Sequence, residues 1–92
     1  MIREFFDKND ETLNLYTKAI TRAHGRNHPE VFEVRSLYQA IQDKVRGGNY
    51  DLASEFAKLR AVTSNYAIPD DVCGTFKATY ELLAEFDSLA RA

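Results

Sequence analysis

Glycine and proline, the residues that interrupt regular structure most strongly, fall almost entirely at three places in this chain: Gly25 to Pro29, Gly47-Gly48 and the segment ending at Pro69. Gly74 is the exception. Breakers so placed leave four stretches, each with apolar residues recurring every three or four positions, the period of a helix. No run alternates with the period of a strand, and there is no internal repeat or low-complexity tract. The expected fold class is all-α: an antiparallel bundle of three to four helices with short connections, as one domain over residues 1–92.

The first stretch sets Leu13, Tyr16, Ile20 and Ala23 on one face, which Ile2, Phe5 and Phe6 extend upstream, with Asn9-Asp10-Glu11 a place for a bend or restart. Pro29 suits the first position of a second helix, where a missing N–H costs nothing, and Glu30 favours the positive end of its dipole. Its stripe is Val34, Leu37, Tyr38, Ile41 and Val45, closed by the Gly47-Gly48 pair. Asn49 is the expected N-cap of a short third helix carrying Leu52, Phe56 and Leu59. Ser64 to Ile68 reads as a loop. Pro69-Asp70-Asp71 then places a proline and two carboxylates in the first turn of a fourth helix, with Val72, Phe76, Tyr80, Leu83 and Phe86 or Asp87 on its stripe.

With 92 residues and one cysteine, Cys73, no internal disulfide can staple so small a core. Stability must come from helix packing, a metal or a second subunit. The net charge of −2, with no basic block, argues against nucleic acid as a partner. Only residues 68–92 are charge-biased, with two basic against five acidic groups. Charges interrupt Met1 to Lys8 too early for a signal peptide, and no apolar run reaches membrane-spanning length, so no membrane is expected. A cytoplasmic location is expected, where a lone reduced thiol is ordinary.

Few residues suggest chemistry. His24 and His28 lie four apart, the spacing of paired ligands on one helix face, but Gly25 and Pro29 place them across a helix end. The expected arrangement is an exposed helix-terminal His and a loop His. Cys73, with no His near it in sequence, reads as a small buried apolar residue rather than a nucleophile. A small sensor built on Cys73 would instead require an exposed thiol of low pKa. Asp70 and Asp71 suit helix capping. Glu81 and Glu85 form an i, i+4 carboxylate pair on a solvated side that Asp87 joins. The aromatics Phe32, Tyr38, Tyr50, Phe56, Tyr66, Phe76, Tyr80 and Phe86 follow the apolar stripes and read as core. There is no phosphate-cradling glycine loop, paired-cysteine zinc motif or nucleophile elbow.

The run Ala23-His24-Gly25-Arg26-Asn27-His28-Pro29-Glu30-Val31, with the amphipathic stretch to Val45, resembles the inter-helix segment of the hemerythrin-like iron–sulfur cluster repair di-iron proteins, also called regulators of cell morphogenesis and nitric oxide signalling. Leu59 to Phe76 is similar to that family's segment between its last two bundle helices, with a loop, a proline, acidic residues, Cys and an aromatic in the same order. The likeness runs in pieces over about residues 12–90. It implies a hemerythrin-like bundle, in which the family holds two irons with His and Glu side chains. The ligand positions are absent here: Arg3 or its neighbours stand in place of the first His, Val45 runs directly into Arg46-Gly47-Gly48, Gly48-Asn49 replaces a Glu-His pair, and Leu89-Ala90-Arg91-Ala92 lacks the closing His and Glu. No histidine follows His28.

A shortened, degenerate relative is therefore expected, with no catalytic, cofactor-binding or metal residues transferred and no cofactor. The corresponding function is a non-enzymatic helical protein that self-associates or binds another protein through an apolar helix face, burying about 800 Å² per partner in a standard contact. The rival is iron binding by His24, His28 and acidic residues, in iron–sulfur cluster repair or a nitric oxide or oxidative stress response.

Overall fold

The helical period of the first stretch continues unbroken, so a single 23-residue helix, α1 (Ile2–His24), opens the computed structural model, which describes residues 1–92. At 1.5 Å per residue α1 is about 35 Å long, matching the molecule's longest dimension of 35 Å. Asn9-Asp10-Glu11 does not bend it. Asn9 Nδ2 donates to the carbonyl of Phe5 one turn back at 3.0 Å. Asp10 turns toward the second helix, α2 (Glu30–Arg46), and accepts from Tyr38 Oη at 2.5 Å, Gln42 Nε2 at 2.8 Å and Arg46 Nη2 at 3.0 Å. Burial opposes the charge on Asp10, but these three donors outweigh it and hold its pKa below the ordinary carboxylate value. The polar triplet is thus a cross-link between helices.

The inward face of α1 is also shifted from its expected set. Leu13 and Ile20 are buried, whereas Tyr16 is half-buried and Ala23 exposed. Thr17 takes the inward place, its Oγ1 donating to the Leu13 carbonyl at 2.7 Å and accepting from Arg35 Nη1 at 2.8 Å.

In α2 the whole predicted stripe, Val34, Leu37, Tyr38, Ile41 and Val45, is buried. Gly48 closes the helix at φ +83°, with the Gly48 N–H donating to Val45 O at 3.0 Å and the Asn49 N–H to Lys44 O at 2.8 Å, a Schellman turn. Asn49 completes that turn and accepts on Oδ1 from the Asp51 N–H at 3.0 Å. It does not cap a helix, and α3 (Ala53–Val62) starts four residues later. Leu52, Phe56 and Leu59 are buried as their spacing predicts.

The fourth helix, α4 (Gly74–Arg91), begins after Cys73 rather than at Pro69. Phe76, Tyr80, Leu83, Phe86 and Asp87 face inward, while Val72 is half-buried ahead of the helix. Between α3 and α4, Ser64, Asn65 and Tyr66 all adopt left-handed φ, at 53°, 64° and 63°. Such a run costs about 1–2 kcal/mol per residue. It is held by the Asn65 N–H to Arg60 O at 2.7 Å, the Tyr66 N–H to Thr63 Oγ1 at 2.8 Å and the Ala67 N–H to Thr63 O at 3.1 Å.

Cross-helix contacts fix the directions. Arg3 Nη1 at the start of α1 donates to the Val45 carbonyl near the end of α2 at 3.2 Å. The Phe5 ring lies 4.9 Å from that of Phe86, late in α4. Hence α1 runs antiparallel to both α2 and α4. The short α3 sits between those two, joined to α2 by Lys44–Glu55 at 3.0 Å and to α4 by Arg60–Asp87 at 2.6 Å. Seventeen apolar side chains form one core, so an all-α bundle of this length closes without a disulfide.

Not every aromatic joins that core: Phe32 is 56% and Tyr50 43% exposed, and Tyr66 is half-buried. Phe32 lies across the end of α1, where a Cβ on Gly25 would fall 2.6 Å from its ring. Glycine is needed there for close approach. No helix is long and apolar enough to cross a membrane.

Candidate functional site

Because α1 and α4 are antiparallel, the last residue of α1 meets the residue that caps the start of α4. His24 Nε2 stands 3.2 Å from Cys73 Sγ and 3.5 Å from the Cys73 backbone nitrogen, although 49 residues separate them in sequence. Cys73 is the N-cap of α4, extended at φ −82° and ψ 172°, and its thiol is exposed. The expectation of a buried Cys73 is overturned. The α3–α4 loop delivers it to the surface at a helix end, where there is no apolar pocket to receive it.

That position changes the thiol's acidity. The hydrogen bond with His24 is the largest influence, followed by the Phe76 backbone N–H at the start of α4, and together they lower the pKa from 9.0 to about 7. Near neutral pH a substantial fraction is then thiolate. His24 Nε2 serves either as an acceptor for the S–H or, protonated, as a donor to the sulfur.

His28 occupies the α1–α2 loop beside this pair. Its Nε2 is 2.8 Å from Asp71 Oδ1 and its Nδ1 3.2 Å from Glu30 Oε2. Ionised carboxylates only accept, so a ring facing one on each side must carry both protons. The Asp71 hydrogen bond is the largest factor raising the His28 pKa. Partial burial opposes it, and the charges of Asp71 and Glu30 reinforce it. In return, His28 lowers the pKa of Asp71. Asp71 is therefore not a helix cap; it ties the segment before Cys73 to the α1–α2 loop. The Phe76 ring receives both imidazoles edge-on, His24 at 5.4 Å and His28 at 5.7 Å. Tyr80 packs on it at a tilt, with ring centroids 4.4 Å apart, and keeps its buried hydroxyl without a hydrogen-bond partner.

The two histidines do not form a ligand pair. Their ring centroids are 6.4 Å apart, each is engaged by a different partner, and no three His, Cys, Asp or Glu side chains converge in a way that would hold a metal ion. The helix-terminal and loop placements match the sequence reading, although both rings are half-buried rather than free.

A second polar cluster lies at the opposite end of α4. Glu81 and Glu85 are exposed, as their pattern predicts, but Asp87 is not on their side. It is wholly buried, accepts from Arg60 Nη1 on both oxygens at 2.6 and 2.7 Å, from Tyr66 Oη at 2.9 Å, and pairs with Arg91 Nε at 3.2 Å. Burial, then the Asp87 hydrogen bond, raise the Tyr66 pKa well above its ordinary value.

Sequence reasoning missed this cluster, but it left a signal. Asp87 falls on the α4 stripe after Phe76, Tyr80 and Leu83, and Arg60 adjoins the Phe56–Leu59 stripe, so opposite charges occupy inward positions on neighbouring helices. The His24–Cys73 pair left none, because only the antiparallel closure of the bundle brings it together. Compared with family models, curated proteins and solved structures, the chain matches none.

Proposed function

We propose that this is a small non-enzymatic helical protein that acts through one reactive thiol, Cys73, with His24 as its proton partner. The observation that carries the reading is the 3.2 Å approach of His24 Nε2 to an exposed Sγ at the N-cap of α4. A thiolate so placed attacks a disulfide sulfur, forming a mixed disulfide and expelling the other sulfur as a thiolate. Because the chain has a single cysteine, the second sulfur must come from another molecule.

Alkylation by iodoacetamide across pH tests the reading. The rate should rise through an apparent pKa near 7, and incubation with oxidised glutathione should add one glutathione per chain. A rate that rises only above pH 8, unchanged in His24→Gln, would overturn it.

A second reading retains self-association. Met1, 70% exposed, and Tyr50 border, with Ile2, Leu89, Ala90 and Ala92, an apolar groove of about 470 Å³ of the kind a second copy covers. Light scattering over rising concentration decides it, since a mass fixed at 10.5 kDa excludes a dimer.

A further inference from the structure

The closed network around Asp87 borders a cleft of about 370 Å³ between the segment entering α3 and the end of α4. Leu52 and Phe56, both almost fully buried, give it an apolar floor, with Tyr50 and Ala90 beside them. Arg60, Asp87 and Arg91 form its polar end. Asp87 is already engaged on both oxygens, Oδ1 by the Arg60 hydrogen bond and the ion pair with Arg91, Oδ2 by hydrogen bonds from Arg60 and Tyr66.

The two guanidiniums are far from saturated. Arg60 uses Nη1 alone and Arg91 uses Nε alone, and their remaining N–H groups reach no protein acceptor. The polar end therefore offers free donors, and its two positive charges face one negative, while Asp51 elsewhere in the lining brings the cleft as a whole to two positive and two negative groups. A cation or a neutral donor finds nothing to bind there, whereas an anion does. Planar guanidinium edges favour a carboxylate. Asp51, which also lines the cleft, repels a second anionic group.

We propose that this cleft binds a small amphipathic monocarboxylate, its carboxylate on the free N–H groups of Arg60 and Arg91 and its aromatic or branched aliphatic body against Leu52 and Phe56. The volume lies at the small end of ligand pockets and fits one ring with a short acidic arm. The site is independent of Cys73, which lies at the other end of α4 and lines neither this cleft nor the apolar groove.

Titration of the labelled protein with phenylacetate, followed by amide NMR, tests the proposal. The expected result is saturable shifts at Leu52, Ala53, Phe56 and Arg91, with Kd on the order of 1 mM. Phenylacetamide, equal in shape but uncharged, should bind at least about tenfold more weakly. Arg91→Gln alters a side chain 63% exposed, so the fold should persist, and should weaken phenylacetate about tenfold. Ala90→Leu, which fills the cleft without touching a charge, should abolish the shifts. Equal binding of acid and amide, shifts centred away from the cleft, or affinity unmoved by either variant overturns the proposal, as does the absence of shifts at about 10 mM ligand.

Discussion

Asp87, near the C-terminal end of α4, is wholly buried, and both its oxygens are engaged by Arg60, Tyr66 or Arg91. Cys73, at the other end of the same helix, is exposed and has one side-chain neighbour, His24. In the first case the donors come from α3, the α3–α4 connection and α4 itself and close a ring of contacts around the charge. In the second, one imidazole and the open end of a helix favour a charge that remains accessible. A closed network fixes structure because removing a buried member strands the others. An open pair tunes reactivity at little structural cost, because solvent replaces what is lost.

The largest effect should follow from opening the closed end. Asp87→Ala removes the wholly buried carboxylate that Arg60 and Tyr66 share, which should cost about 3–5 kcal/mol. For a domain of this size that lowers the Tm by at least about 12 °C in a thermal melt. Tyr66→Phe removes one donor and leaves the ion pair, so about 1.5–3 kcal/mol is expected from urea denaturation. A loss from Tyr66→Phe as large as that from Asp87→Ala would break the comparison, because the left-handed loop rather than the shared carboxylate would then be the critical element.

At the open end the same kind of deletion should leave stability almost unchanged and act on chemistry. In His24→Gln the thiol loses the largest influence on its pKa and moves from about 7 back toward 9.0, retaining only the helix-end contribution. The thiolate fraction at pH 7, and with it the iodoacetamide rate, should fall about fivefold or more. A melt shifted by as much as in Tyr66→Phe would show that this pair, too, is structural.

Sequence legibility follows the same division. Punctuation by glycine and proline and the 3.6-residue period are local properties, so the four helices and the full α2 stripe could be read directly. Helix starts were less legible, because Asn49 and Asp71 carry capping chemistry but spend it elsewhere: Asn49 in the turn that ends α2, Asp71 on a histidine 43 residues away. Asp10 reads from sequence as a bend, and Asp87 as either a stripe position or a surface charge, because a carboxylate's burial depends on donors from other helices. Cys73 was misread for the converse reason: its neighbour in space is distant in sequence, and its exposure is set by how the loop closes rather than by its own polarity.

The smallest expected effect concerns the His28 clamp, the other half of the open end. The folded His28 pKa is raised above its ordinary 6.5, so its contribution is complete below pH 6.5 and is lost as pH rises through the raised value. The folded Asp71 pKa is lowered, so its contribution is complete above 3.8 and fades as pH falls through the lowered value. The clamp is therefore strongest between these limits. His28→Gln should flatten the pH dependence of the urea midpoint on the alkaline side of 6.5 while leaving the neutral-pH melt nearly unchanged. Imidazole proton shifts in the wild type should report the raised pKa directly. Glu30 faces the ring from the first turn of α2 and Asp71 from the α3–α4 connection, so Asp71→Asn should lower the His28 pKa more than Glu30→Gln, following the shorter contact. If the His28 shifts titrate at 6.5 or below, the ring does not hold both protons between its carboxylates, and the segment leading to Cys73 is anchored only by Phe76 and His24.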